Sequence, residues 1–92
     1  MVSRGEKYHT YILFSPRLDN YYVGHSQNIE ERINNYHNVG KAKYTKRGIP
    51  WRLVYSKAFD TRADAMKHER EIKLRKSRRF IEKLVQSVPS RS

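Results

Sequence analysis

The sequence predicts an α+β fold in which helices cover a three-stranded antiparallel sheet, in the order β-β-α-β-α-α. Three short runs rich in aromatic and β-branched residues are typical of strands, and turn residues separate them. Two further stretches begin at helix-capping residues and carry apolar side chains at helical spacing. A chain of 92 residues has room for one domain, so we expect a single unit over 1–92 with its core at about 8–85.

The first two strands are predicted to form a hairpin. Tyr8–Phe14 and Tyr21–His25 are the strand-forming runs, and a six-residue turn with a proline and an Asp-Asn pair joins them. Side chains alternate between the faces of a strand, so Tyr11 and Tyr22 can meet across the pair. On the hairpin alone, the tyrosines are more simply explained as core aromatics than as catalytic groups.

The first helix is predicted to begin at Asn28, whose side chain can accept from free backbone amides, with Glu31 as its capping-box partner. Apolar residues then fall at i, i+4 and i+7 on one stripe of the helix: Ile29, Ile33 and Tyr36. Arg32 lies at the edge of that stripe and is expected to point towards the sheet. Residues 37–40 end the helix, and a basic loop follows over 41–50.

The third strand is predicted over Trp51–Ser56, where the two-residue alternation returns. That alternation would place Trp51, Leu53 and Tyr55 on one face and Val54 on the other. Such a strand completes the sheet beside the hairpin.

The second long helix is predicted to run from a cap at Thr61, with Asp64 as acidic partner, to about Lys76. Its inward stripe consists of Ala65, Glu69 and Ile72. A buried carboxylate without a partner is destabilising by several kcal/mol, so Glu69 needs a cation, a metal or hydrogen-bond donors. A salt bridge to a nearby arginine is the simplest such partner. Ser77 then caps a final helix whose packing residues are Phe80, Ile81, Leu84 and Val85.

The charge of the chain indicates a polyanionic partner. Twenty Lys and Arg against nine Asp and Glu give a net charge of +11. Residues 47–92 hold thirteen of the basic and five of the acidic groups, a net +8. Five cations fall within 73–79 with no acid among them. Such a surface attracts nucleic acid through counterion release, whereas solubility or an anionic membrane surface are the alternatives.

Composition also excludes several classes of site and protein. The chain has no cysteine, which excludes disulfides, thiolate zinc sites and a cysteine nucleophile. No run approaches the roughly 18 apolar residues that a membrane span requires. The polar stretch 1–7 is unlike a secretory signal, so we expect an intracellular, cytoplasmic protein.

The predicted elements bring four polar side chains to one place: Tyr11, Tyr22, Arg32 and Glu69. These are the groups that hydrolysis of a phosphodiester with one metal ion requires. The carboxylate would hold a hard divalent cation, and the metal and the arginine would offset the charge on the phosphoryl oxygens. A tyrosine or a neighbouring histidine would take the proton from water. The residues alone leave open which tyrosine does so.

The sequence resembles the GIY-YIG nuclease family, and in particular its small stand-alone members similar to the N-terminal nuclease domain of the excision-repair subunit UvrC. The two strand motifs that name the family are matched by residues 9–11 (His-Thr-Tyr) and 22–24 (Tyr-Val-Gly). Four further stretches carry the resemblance: 28–33, 42–45, 50–55 and 69–73. Their order and spacing are specific, although each motif alone is weak.

The resemblance implies a role for each site residue: Tyr11 and Tyr22 as active-site tyrosines, Arg32 facing the phosphate, Glu69 as metal ligand and Gly24 as a structural residue. Many members place a histidine four residues after the arginine, where this chain has Tyr36, as UvrC-type domains do. Either Tyr36 fills that catalytic position, or an irregularity at the helix end turns His37 inward. A regular helix cannot point both side chains at one site. The other histidines are expected to be structural: His9, His25 and His68.

The resemblance further implies an endonuclease that hydrolyses DNA with one Mg²⁺ or Mn²⁺ ion, in DNA repair or recombination. We expect nucleic acid as partner, DNA rather than RNA, and either low intrinsic specificity or a partner protein that supplies specificity. The residues expected to contact nucleic acid are Lys43, Tyr44, Lys46, Arg47, Lys73, Arg75, Lys76, Arg78 and Arg79. A nucleic-acid-binding module that has lost catalysis, and a structural adaptor that uses the tyrosine hairpin, are the alternatives.

Overall fold

The computed structural model describes residues 7–40 and 43–87, and these form the predicted three-stranded antiparallel sheet with its covering helices. The strands are β1 (Tyr8–Ser15), β2 (Asn20–Ser26) and β3 (Arg52–Phe59). The helices are α1 (Ile29–Arg32), which continues as a π-helical segment (Ile33–His37), then α2 (Lys43–Lys46), α3 (Arg62–Arg75) and α4 (Arg78–Gln86). The strand order is β2-β1-β3, so β2 and β3 are the edges of the sheet.

The predicted hairpin of β1 and β2 is present, with a shorter turn. The strands extend to Ser15 and from Asn20, which leaves four residues for the turn instead of the predicted six. Tyr11 pairs with Gly24 in the register and is diagonal to Tyr22. The centroids of the two tyrosine rings are 6.5 Å apart, so the predicted meeting of the tyrosines is confirmed.

Each face of the sheet carries one apolar cluster. The cluster under α3 and α4 is built on the buried residues Ile12, Val23, Tyr55 and Ile72. The cluster on the face of α1 is built on Tyr11, Leu13 and Trp51. Consecutive residues of a strand point to opposite faces, which is why Tyr11 and Ile12 belong to different clusters. The two tyrosines therefore share the α1 face, whereas α3 packs on the opposite face.

The predicted faces of β3 are partly wrong because the strand carries a β-bulge. Leu53 and Tyr55 pair with consecutive residues of β1, so Val54 is an extra residue between them. The bulge turns Tyr55 to the α3 face, away from Trp51, and Val54 packs against the same cluster as Tyr55. Leu53 remains 44% exposed.

Some element boundaries also differ from the prediction. β3 begins after Trp51 and runs to Phe59, the predicted basic loop contains α2, and α3 ends one residue before Lys76. The helix starts are as predicted, since Asn28, Thr61 and Ser77 each accept a hydrogen bond from the backbone amide three residues on, at 3.1 Å. The α4 residues that were predicted to pack do contact the α3-face cluster: Phe80, Ile81, Leu84 and Val85. The helices within 7–40 and 43–87 are all too short or too polar to span a bilayer.

Candidate active site at the edge of β2

The Tyr11 side chain crosses the neighbouring strand β2 at Gly24. Tyr11 is 1% exposed, and a Cβ atom at position 24 would lie only 2.9 Å from its phenol oxygen. Real Cβ atoms do not approach an oxygen so closely, so the phenol needs a glycine there. The glycine thereby lets a tyrosine of the central strand present its hydroxyl at the edge of the sheet.

The end of the first helix turns the His37 side chain inward, towards the tyrosine pair. The amide of Asn38 donates to the carbonyl of Ile33 at 2.8 Å, a π-helical hydrogen bond that spans five residues. The residue five positions after Arg32 consequently takes the place that the fourth would take in an α-helix. This is the irregularity that the sequence left open, and it brings His37 to the tyrosine pair. The Tyr36 side chain lies outside the described part of the chain.

Tyr11, His37 and Thr45 form one hydrogen-bonded group. The Tyr11 hydroxyl lies 2.9 Å from Nε2 of His37, whose Nδ1 lies 3.2 Å from the Thr45 hydroxyl. Arg32 lies near enough to the Tyr11 oxygen to act on the phenol. The arrangement that satisfies both contacts has Tyr11 donating to Nε2 while Nδ1–H donates to Thr45.

Burial fixes the protonation of this group. It raises the pKa of the Tyr11 phenol, and neighbouring Tyr22 raises it further; the hydrogen bond and charge of Arg32 act in the opposite direction but are weaker. Burial, and then the Arg32 charge, lower the pKa of His37 from 6.5 to about 4. At neutral pH the phenol is therefore protonated and the imidazole is neutral, which makes His37 an acceptor for the phenol proton.

The short helix α2, which follows the first helix, carries Thr45, whose hydroxyl contacts the His37 ring. The indole N–H of Trp51 donates to the Thr45 carbonyl at 2.6 Å. The Asn38 side chain bonds both the backbone amide and the carbonyl of Trp51, at 2.7 and 3.1 Å. Thr45 is fully buried. The His37 ring is therefore held in place by a segment that is itself hydrogen-bonded to Trp51 of the core.

Tyr22 contributes an aromatic wall to the same group. Its ring centroid is 4.9 Å from that of His37 and 6.2 Å from that of Trp51. The ring is partly buried, in contrast to that of Tyr11. The structure therefore places both tyrosines at the candidate site, with Tyr11 in the hydrogen-bonded centre.

Glu69 approaches the same strand edge from the other face of the sheet. Its side chain is 17% exposed and lies between buried Ala65 and Ile72 on the predicted stripe of α3. One carboxylate oxygen is 2.6 Å from Nδ1 of His25, and the other is 2.6 Å from Nζ of Lys73. The predicted need for a cationic partner is confirmed, although the partners are a histidine and a lysine rather than an arginine. The Glu69 charge also raises the pKa of Tyr11, so the two groups interact electrostatically across the strand edge.

The residues at this edge fit a divalent cation with one protein carboxylate. Within 7–40 and 43–87, no three His, Cys, Asp or Glu side chains come together as a ready metal cage. Mg²⁺ commonly keeps most of its waters and binds through one or two carboxylates and substrate phosphates. Glu69 has the required hard oxygen ligands, and Lys73 already shows that a cation is accommodated beside one of them.

Seven of the side chains predicted to contact nucleic acid are described, and all seven are exposed; those of Lys43 and Tyr44 lie outside the description. Arg78 is bound at 2.9 Å to Asp19 in the hairpin turn, so it also ties α4 to the sheet. A groove of about 390 Å³ runs along the edge of β2 and is lined by Tyr22, Lys73, Lys76 and Arg78, among others. Three of the basic residues of 73–79 therefore share a groove with Tyr22 of the candidate site, whereas Arg75 lies over the Phe80 ring.

A model of the GIY-YIG catalytic domain matches residues 7–83, which is most of the chain. The chain belongs to the GIY-YIG family. This is a nuclease family, and its nucleases generally use a divalent metal ion.

The GIY-YIG relatives that match this chain include several UPF0213 proteins. One from Staphylococcus saprophyticus is 48% identical over 52 residues, which are 56% of this chain and 63% of the relative. One from Bacillus licheniformis is 36% identical over 78 residues, 80% of this chain and 79% of the relative. One from Haloquadratum walsbyi is 37% identical over 67 residues, 72% and 74% of the two chains. The match thus spans less than two thirds of the staphylococcal protein. No solved structure matches.

Two residues of the site were not predicted from the sequence of this GIY-YIG chain. His25, expected to be structural, holds one oxygen of Glu69, and its position directly after the second motif was the available signal. Thr45 carries no pattern that marks it, because its contact with His37 depends on how the loop folds back. Lys73 was predicted to contact nucleic acid, and it lies four residues after Glu69, where a helical ion pair forms.

The buried His37 should make the stability of the protein sensitive to acid. Between the unfolded pKa of 6.5 and the folded pKa of about 4, the unfolded chain binds more protons, so the free energy of unfolding falls as the pH falls. The stabilisation is complete above 6.5, and the loss at about pH 4 should reach at most about 3 kcal/mol, since one pKa unit is 1.36 kcal/mol. Urea unfolding across this range should show the loss, and His37→Gln should reduce it. Equal pH dependence in both proteins would contradict the neutral buried imidazole.

Proposed function

We propose that this GIY-YIG chain is a divalent-metal-dependent endonuclease that hydrolyses phosphodiester bonds of DNA. The observation that supports it best is the Tyr11 phenol, which is hydrogen-bonded to His37 and lies within the electrostatic influence of Arg32 and Glu69. A tyrosine that only packs needs no such neighbours, whereas this one bonds a neutral base beside a cation. A role in DNA repair or recombination, and a partner protein that supplies specificity, belong to the same proposal.

The proton of the attacking water passes to Tyr11 as the Tyr11 proton passes to His37. A protonated phenol with a raised pKa is a poor base by itself, but it can accept a proton while it donates its own to neutral Nε2. The Nδ1 nitrogen of His37 keeps its proton and donates it in a hydrogen bond to the Thr45 hydroxyl, which leaves Nε2 free to accept. The phenol never has to exist as a stable phenolate, which burial opposes.

The Arg32 guanidinium would bind the phosphoryl oxygens next to the attacked phosphorus. Its charge acts on the phenol that would accept the water proton, so a phosphate held by Arg32 would lie close to that water. Glu69 would hold the Mg²⁺ or Mn²⁺ ion, which when bound supplies Lewis-acid stabilisation of the developing charge. His25 keeps the carboxylate oriented through its bond to Oε1, and Lys73 neutralises its charge in the absence of the ion.

A nucleic-acid-binding module without catalysis is the second candidate function. It is favoured by one observation, that both oxygens of Glu69 already have cationic or donor partners within the chain. If Lys73 is a permanent partner of Glu69, the carboxylate is a structural group. The two functions differ in whether a divalent ion displaces this lysine.

The test is nicking of circular DNA by the purified chain. A supercoiled plasmid and a circular single strand have no ends, so conversion to nicked or linear product requires internal cleavage. We expect cleavage with Mg²⁺ or Mn²⁺ and none with EDTA. Binding of both circles, without cleavage under either metal, would contradict the endonuclease and support the binding module.

A further inference from the structure

A second polar cleft, which we call the flanking cleft, opens beside the candidate active site. It has a volume of about 430 Å³ and lies between the start of β1, the end of β2 and the start of α3. The lining residues that matter for its chemistry are Tyr8, His25, Gln27, Glu31, Arg32 and Arg62. The cleft is continuous with the catalytic edge but is not used in the proton transfer described above.

Two residues of the flanking cleft also belong to the active site. The charge of Arg32 acts on the Tyr11 hydroxyl, and His25 is bonded to Glu69. A phosphate that binds Arg32 for hydrolysis therefore lies at one end of the flanking cleft. The nucleotide attached to that phosphate must pass either into this cleft or along the other edge of the site.

The far end of the cleft is built from Arg62 and Tyr8. The Arg62 guanidinium lies over the Tyr8 ring, 5.8 Å from its centroid. Arg62 lines the cleft, and no ion pair joins it to a carboxylate among the residues that the structure describes, so its charge is available to a ligand there. A guanidinium plane supported by an aromatic ring is a surface on which unstacked bases bind.

We infer that the flanking cleft binds one unpaired nucleotide next to the scissile phosphate, so that the substrate is single-stranded or flapped DNA rather than continuous duplex. The inference rests on the proposed endonuclease function. A volume of about 430 Å³ lies near the lower end of small-molecule pockets. This volume suits one nucleotide better than a base pair with both backbones, and a base that enters the cleft has left the stack.

The charges of the cleft suit a nucleotide better than a bare anion. Arg32 and Arg62 outnumber Glu31, which leaves the lining net positive. The Glu31 carboxylate repels phosphate at its own position but accepts hydrogen bonds from the exocyclic amino groups of bases. The exposed Gln27 amide can both donate to and accept from a base edge.

The test uses three labelled DNAs of one sequence, bound in EDTA so that no cleavage occurs: a single strand, a continuous duplex, and a duplex with a single-stranded flap. Fluorescence anisotropy at one fixed salt concentration gives the Kd for each. The parental chain should bind the flap about tenfold more tightly than the duplex. Arg62→Gln should lose about tenfold on the flap and single strand, and little on the duplex.

Two matched variants separate stacking from charge. Arg52→Gln removes one exposed arginine from the start of β3, which pairs with the far end of β1 at Phe14, and should weaken binding of all three DNAs equally. Arg62→Lys keeps the charge but lacks the guanidinium plane, so it should bind the duplex like the parental chain without regaining the flap preference. Arg62 occupies the first turn of α3, where a cation opposes the helix dipole, so its replacement should not unfold the chain.

Equal losses on flap and duplex for Arg62→Gln, or full recovery of the flap preference by Arg62→Lys, would overturn the inference. So would equal parental affinities for flap and duplex. These outcomes do not depend on nuclease activity. A chain that prefers flaps in EDTA but never cleaves them would contradict the proposed endonuclease and support the nucleotide site. Cleavage without a flap preference would support the endonuclease and contradict the nucleotide site.

Discussion

Replacing Glu69 by glutamine should lower the rate of DNA cleavage by about 10³-fold while leaving the fold and the DNA affinity intact. Glutamine keeps the volume of the side chain but removes the charge that would hold a divalent cation. A Lewis acid contributes several kcal/mol to such a reaction, and each 1.36 kcal/mol is a factor of ten. The measurement is single-turnover cleavage of a circular single strand with Mg²⁺ or Mn²⁺, together with the metal-induced rise in Tm, which should disappear in the variant.

Glu71→Gln is the matched control, since it removes one carboxylate from the same helix. Glu71 is 60% exposed and its contact with the His68 ring is 4.0 Å, so this variant should cleave and bind metal like the parental chain. Removal of Lys73, by Lys73→Gln, should by contrast strengthen metal binding if that lysine competes with the ion. Unchanged metal-dependent cleavage by Glu69→Gln would exclude Glu69 as the metal ligand.

The sequence was sufficient to predict the parts of this fold that local chemistry determines. Strand-forming runs separated by a turn predicted the hairpin, and cap residues such as Asn28 and Thr61 predicted the helix starts to the residue. Glu69 was correctly expected on an inward stripe with a cationic partner, because a carboxylate between buried Ala65 and Ile72 requires one. These features depend on a few residues near each other in the chain.

The features that the sequence mispredicted or left open depend on single-residue insertions. The bulge at Val54 reverses the faces of β3 beyond it, and a strand pattern cannot show which residue is extra. The π-helical segment displaces His37 by one position for the same reason. Both insertions keep regular hydrogen bonding on either side, so their sequence signal is weak although their geometric effect is large.

The candidate site straddles a sheet edge, and this arrangement explains why its residues are scattered in sequence. Tyr11 reaches the edge of β2 over Gly24 on one face, while Glu69 reaches it from α3 on the other. A site inside one face would need a buried pocket, for which a chain of this size has little room. A site at the edge needs only a glycine that lets one side chain cross the edge strand and a second side chain that reaches the edge from the other face. It also leaves the phosphate backbone of a substrate accessible to solvent.

The hydroxyl of Tyr11 should be worth far more to catalysis than that of Tyr22. Tyr11→Phe removes one oxygen and keeps the ring that packs in the α1-face cluster, so the fold should persist. The cleavage rate should fall by about 10²–10⁴-fold, the usual contribution of a general acid–base group, whereas Tyr22→Phe should lose less than about tenfold. Tyr55→Phe is the matched control, because the Tyr55 hydroxyl also bonds a histidine, His68 at 3.1 Å, beside the opposite edge strand of the sheet.

The relay between Tyr11 and His37 makes a sharper prediction than either residue alone. If the phenol proton passes to Nε2, His37→Gln should lose about as much rate as Tyr11→Phe, and the double variant should lose little more than either single one. DNA affinity measured in EDTA should stay at the parental value in all three variants, because none of them removes a phosphate-binding cation. Losses that multiply in the double variant would show that the two residues act independently. Parental rates in both tyrosine variants would return the pair to the role of core aromatics.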